Sequence, residues 1–362
     1  MPEQLSKFND IGVEELGNIE PSNVGIPSPL ELTEQENAEL TKLLNSARDA
    51  EKAGDIHGAM SIYGQYRAEY QKLRFKESDE IIETLNLQEQ YQKQVEILQS
   101  LGLLQENNGS YGMDAVDDNF YPIPSFEMIR EKLSSEKIKT LEKKVNQGFL
   151  KLLIVPFGMS LGMLQSKYNN FLRDKSNDHT LFSVSGKRYG HRMMEGSYGE
   201  KDVNEEGGLK YRQGQTNKTK KQLVASGNAW QVLLVEDLDV LATEATAGTI
   251  GGRVQIHSGE PPNQYLRDLQ EDQYSNEKGF TPEIWFMNCI TKLYEDNIQL
   301  DAIEDSSGCN LIGAVYEADN KLRNEDLTPT AGWLSSQELI VSHHQRPDQA
   351  DERFGVRTAV EI

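Results

Sequence analysis

The chain is poor in the features that mark several protein classes. It has two cysteines in 362 residues, Cys289 and Cys309, twenty apart. A disulfide-dense secreted scaffold is thereby excluded, and two buried, reduced thiols are expected. No His-x-x-x-His or Cys-x-x-Cys spacing occurs, so no metal site is expected. No window approaches 18 consecutive apolar residues, which excludes a membrane-spanning helix. The opening Met1-Pro2-Glu3-Gln4 lacks a positive region followed by an apolar one. A signal peptide is therefore not expected, and the expected compartment is the cytoplasm.

Positive charge is also scarce. Lys and Arg number 37 against 58 Asp and Glu, a formal net charge of −21. The excess is −13 over residues 1–140 and −8 over the rest. A field of this sign repels phosphate backbones and anionic membranes, so neither nucleic acid nor a membrane is an expected partner. The one basic cluster, Lys218-Thr219-Lys220-Lys221, reads as a solvated loop.

Catalytic signatures are missing as well. No Gly-x-Ser-x-Gly elbow is present. Gly248-Thr249-Ile250-Gly251-Gly252-Arg253 lacks the Lys-Ser/Thr of a phosphate loop and reads as a turn. Asp174, Asp178 and His179 form a polar trio of the kind that arises by chance. Glu236 and Asp237 end an apolar strand and are the best-placed acids for any chemistry. No cofactor is expected.

Hydrophobic residues make up 37% of the chain, enough for a real core. Residues 1–30 carry Pro21, Pro27 and Pro29 among Asn, Gly and Ser, and read as a flexible leader. Thr33 with Glu36 forms a capping-box pattern, and Leu40, Leu43, Leu44 and Ala47 follow at helical spacing. A second helix is expected from about Ile56 to Phe75 and a third from about Ser78 to Leu101. Residues 31–104 thus read as a helical hairpin or bundle that could dock a partner or support a homo-oligomer. Residues 105–147 read as a linker with short helices capped by Ser125 and by Ser134 or Ser135.

From 148 to 362 the texture is mixed. Phe149–Phe157 and Trp230–Asp237 suit buried strands, and Leu161–Leu172 an amphipathic helix. Residues 183–226 read as long loops with one or two weak strands. Thr281-Pro282-Glu283 is a strong helix start, with Trp285, Cys289 and Leu293 spaced by four beside Phe286, Ile290 and Tyr294. Asn310–Tyr316 reads as a strand, and Val356, Ala359, Val360 and Ile362 as a closing strand held in a sheet. The fold class is therefore α+β.

Two family resemblances attach to these residues. Ala47–Tyr63, with small residues around Gly54-Asp55, resembles one tetratricopeptide-type helical hairpin. Pro282-Glu283-Ile284-Trp285, Trp333 with Ser335-Ser336, Arg346, and Phe354-Gly355-Val356-Arg357 resemble the C-type-lectin-like fold. The branch is the one shared by formylglycine-generating-enzyme-like domains and the variable proteins of diversity-generating retroelements. The chain departs from it by lacking a Gly-Asn-Val-x-Glu-Trp core motif and a C-terminal cysteine pair, so formylglycine-type oxidation is not implied. The resemblance implies neighbouring strands of one sheet across 330–362. It also implies ligand display on a rigid frame, through Trp333, Ser335, Ser336, Gln337, His343, His344 and Arg346. The whole chain is also similar to proteins without assigned function from candidate-phylum bacteria.

The expected role is then a non-enzymatic binding protein with a protein or other macromolecular ligand. An enzyme using Glu236 and Asp237 in a cleft, and a structural protein of a phage or virion, are the alternatives.

Overall fold

The computed structural model describes residues 34–177, 209–213, 216–296, 298, 300–301, 308–316, 326–333 and 339–362. The flexible-leader expectation for 1–30, Thr33 of the capping box, the trio members Asp178 and His179, and residues 183–208 of the stretch expected to be long loops lie outside them. The chain forms two compact units that meet between Arg74 and Phe75.

In the first unit, α1 (Glu34–Lys52) is joined to α2 (Ile56–Thr84) by a turn at Gly54, whose φ is +78°. Asp55 caps α2 by accepting the Gly58 N–H at 2.9 Å. Leu40, Ala47 and Ala59 are buried. The helix was expected to stop near Phe75. It runs on to Thr84, because nothing in 75–84 breaks it, and the reversal comes at Asn86 with φ +50°.

The second unit begins with the end of α2 and with α3 (Leu87–Ser100). Then come three short strands, β1 (Gln105–Asn107), β2 (Ser110–Asp114) and β3 (Phe120–Pro122), forming an antiparallel sheet. The linker expectation for 105–147 missed this sheet. Its signal was Asn108-Gly109, both at positive φ (+51° and +79°), the two-residue turn that matches strand twist. Next are α4 (Phe126–Glu131) and α5 (Ser135–Asn146), capped by Ser125 and Ser134 as expected.

The centre is an antiparallel sheet built from β4 (Phe149–Val155), β7 (Gln231–Glu236), β10 (Glu277–Gly279) and β16 (Thr358–Glu361), in the order β10-β16-β7-β4. Between these in sequence lie α6 (Leu161–Asn177), β5 (Leu209–Gln213), β6 (Thr216–Lys218), α7 (Lys220–Ala225), β8 (Thr249–Ile250), β9 (Arg253–Val254) and α8 (Pro262–Asp268). Both faces of the central sheet are covered. Leu233, Val235 and Ala359 face a core with α6 and α9 (Pro282–Asp296), and Val232, Leu234 and Val360 face one with α5. Two covered faces explain why β4 and β7 read as continuous apolar runs rather than alternating ones. The closing strand is therefore an interior strand between β10 and β7.

The edge strand β4 is sealed by α3. Leu152 N–H donates to Gln90 Oε1 at 2.7 Å, and Ile154 N–H donates to Gln94 Oε1 at 3.2 Å. Residues four apart on a helix are spaced much like residues two apart on a strand, so two glutamines can satisfy alternate edge groups.

A second sheet has the order β14-β13-β11-β15, with β11 (Gly308–Asn310), β13 (Thr328–Trp333), β14 (Leu339–Gln345) and β15 (Phe354–Gly355). A third joins β12 (Ala314–Tyr316) to β5 and β6. Three expectations are corrected here. Asn310–Tyr316 is two strands in two sheets, because Ile312-Gly313 turn the chain. Residues 330–362 do not share one sheet: β13, β14 and β15 lie in one, and β16 in the other. The single-sheet arrangement implied by the lectin-like resemblance is thus not the one observed. Finally, α3 packs on β4 within the second unit, so residues 31–104 are not one helical module.

Candidate functional site

The residues expected to form a recognition surface fall around the β13–β14 hairpin. Trp333 closes β13 opposite Leu339, and His343 and His344 lie on β14. The side chains of those three, and Ser335, Ser336 and Gln337 entirely, lie outside the described residues. Arg346 follows β14 directly and is exposed. Gln345 is buried and donates to the Gln349 carbonyl, pinning the turn after the strand. β14 stands at the end of its sheet, with β13 on one side. The other end is closed, since the Gly259 N–H donates to the Phe354 carbonyl on β15 at 3.0 Å.

The acids singled out from sequence are held in ion pairs. Glu236 receives Arg253 Nη1 at 2.9 Å, and Arg253 also donates through Nε to Glu277 at 2.8 Å. Lys144 joins Glu277 at 2.7 Å, and Phe149 and Tyr274 flank the guanidinium with ring centres 5.2 and 5.3 Å away. Two cations and two carboxylates make a neutral, nearly water-excluded cluster. Burial pushes Glu236 above the usual carboxylate range, against the pull of Arg253. Asp237 instead pairs with Lys292 at 2.6 Å, beside Asp239 and Asp296. Desolvation opposes the charged amine of Lys292, but these carboxylates outweigh it and hold its pKa above the ordinary lysine range.

The Gly248–Arg253 stretch is a hairpin turn, as expected, yet its end carries a core residue. Gly251, at φ +54°, is forced: a Cβ there would sit 2.3 Å from the Asn146 carbonyl oxygen. That close approach delivers Arg253 into the cluster.

Two further networks were not anticipated as networks from the sequence. The basic cluster was read as a solvated loop, but Lys220 is fully buried on α7, which starts from a Thr219–Gln222 capping box. Its Nζ lies 2.8 Å from Glu283 Oε1 and donates to the Met159 carbonyl, while Tyr211 Oη donates to the same Glu283 at 2.5 Å. The capping box was the signal for a helix there, but no local pattern showed that its lysine faces inward. The second network is Arg357 with Asp301. Nε and Nη2 both donate to Oδ1, at 3.0 and 2.8 Å, and Trp285 Nε1 reaches Oδ2 at 2.7 Å. Arg357 also donates to the Leu238 carbonyl. The arginine of the closing Phe-Gly-Val-Arg is therefore a core ion-pair member. Tyr294, expected in the core with the rest of α9, is 41% exposed.

Cys289 and Cys309 are buried thiols with no disulfide, and burial pushes the Cys309 thiol well up. Among the described residues no group of three or more His, Cys, Asp or Glu could hold a metal ion. Among them also, no helix is long and apolar enough to cross a membrane. Comparison of the chain with protein-family models, with curated proteins and with solved structures finds no match.

Proposed function

We propose that the chain is a non-enzymatic protein-binding protein, and that it takes an extended segment of its partner along the outer side of β14. One observation carries the reading. Among the described residues β14 ends its sheet, while the edge of β4 is sealed by glutamines and that of β15 by the Gly259 amide. An end strand offers alternating N–H and C=O groups, the groups used when a partner adds a strand to a sheet. The ion-paired state of Glu236 and Asp237 favours this reading over the enzyme alternative.

Panning a random peptide library on the full chain tests it. Selected peptides are expected to be extended and to slow backbone hydrogen exchange across 339–346. Protection confined to another element would overturn the reading. At the gene, an adjacent reverse transcriptase and a near-copy of the 3′ coding end differing at adenines would make this surface a diversified one.

A further inference from the structure

The first unit ends at Arg74 and has no cysteine to staple it. Among its described hydrophobic residues only Leu40, Ala47 and Ala59 are buried, and two of these are alanines. Units below about 80 residues with so little core are commonly completed by oligomerisation. The apolar surface left over lies along α2. Ile56 and Met60 are 56% and 67% exposed, Tyr70 is exposed, and Tyr63 is half-buried between them. Hydrophobic residues exposed singly need no explanation, but these four fall in one stripe about 80° wide on the helix. Ile56, Tyr63 and Tyr70 recur every seven residues, the period of a helix-pairing seam.

The stripe and its charges are self-complementary. Ile56 lies seven residues before Tyr63 and Tyr70 seven after it. Reversed and laid against a copy of itself, the stripe sets Tyr63 on Tyr63 and Ile56 on the other copy's Tyr70. The charges beside Tyr63 come from α1. Its Oη donates to Glu51 Oε2 at 3.4 Å, and Arg48 is close enough to act on it through its field. Arg48 and Glu51 are both exposed. A two-fold axis through Tyr63 therefore faces each copy's Glu51 with the other copy's Arg48, two reciprocal pairs of opposite charge. This local balance matters in a chain of net charge −21, whose copies repel one another wherever acids face acids.

We propose that α2 pairs antiparallel with α2 of a second copy, so that the protein is a two-fold homodimer through its first unit. The pairing covers Ile56 and Met60 and sets two helical hairpins side by side, the composition of a four-helix bundle. The edge of β14 takes no part in it, so the dimer and the docking reading stand or fall separately.

Sedimentation equilibrium on the full chain tests it, and is expected to give twice the chain mass at about 10 μM. Met60→Glu places a carboxylate from each copy in the seam. It is expected to raise the dissociation constant about a hundredfold or more, with helix content by circular dichroism unchanged. Arg48→Glu and Glu51→Arg, which set like charges opposite one another, are each expected to weaken the dimer about fivefold or more. An equal mixture of those two variants is expected to pair more tightly than either alone, because each acid then meets a base. A contact within one chain gains nothing from mixing, so this result stands even if Met60→Glu loses helix. The mass of one chain at about 100 μM, or of more than two chains, would overturn the pairing. So would a dimer indifferent to Met60→Glu, or a mixture no tighter than its components.

Discussion

Arg357 shows how much one residue can organise. It is buried, doubly bonded to Asp301, and bonded to the Leu238 carbonyl, so it ties the closing segment to the chain after β7 and to α9 through Trp285. Removing one partner of such a pair leaves a buried charge uncompensated. Arg357→Leu is expected to cost about 3–5 kcal/mol, read from urea unfolding. Adding Asp301→Asn should recover part of that loss, because the stranded carboxylate is gone. Equal losses in the single and double variants would show that the pair contributes nothing beyond packing. From sequence Arg357 was legible only as part of a closing motif. Its partner lies 56 residues away, and no local pattern announces a long-range ion pair. Lys220 was misread for the same reason: a lysine flanked by lysines looks solvated until Glu283 and Tyr211 are brought beside it.

At the scale of elements, local rules read well wherever they were sufficient. Ser125 and Ser134 cap the helices they announced, Thr281-Pro282-Glu283 starts α9, and β4 and β7 lie where the apolar runs fall. The misses have equally local causes. Asn108-Gly109 was passed over as linker, and Asn86 as a mid-helix residue, although both asparagines take positive φ. What no element shows by itself is the seal between α3 and β4. Gln90→Leu with Gln94→Leu would leave the Leu152 and Ile154 amides without acceptors. The pair is expected to cost about 1–3 kcal/mol per lost acceptor and to make β4 a site of edge-to-edge association. Urea unfolding and light scattering read the two effects. Unchanged stability and unchanged size would show that water replaces the glutamines without loss.

At the scale of the molecule, the division between Arg74 and Phe75 falls inside α2, where no linker composition marks it. The apolar cores around the central sheet draw on residues after Arg74, starting with Ile81 and Leu85. A chain beginning at Phe75 is therefore expected to unfold cooperatively, with a Tm within a few degrees of the full chain's. A broad, non-cooperative melt of that fragment would show that the first unit is needed for the second to fold.

The amino-acid sequence alone determined the α+β class, the caps, the principal strands and the buried state of both cysteines. Periodicity, turn chemistry and apolar runs act over a few residues and are written locally. Only the tertiary structure decided which charges would be inside. It also divided residues 330–362 between two sheets, sealed one edge and left β14 at the end of another. Those outcomes depend on contacts between residues tens to hundreds of positions apart. Burial turns a charge or an amide from a solvated group into one that must find a partner, and the fold alone supplies or withholds it.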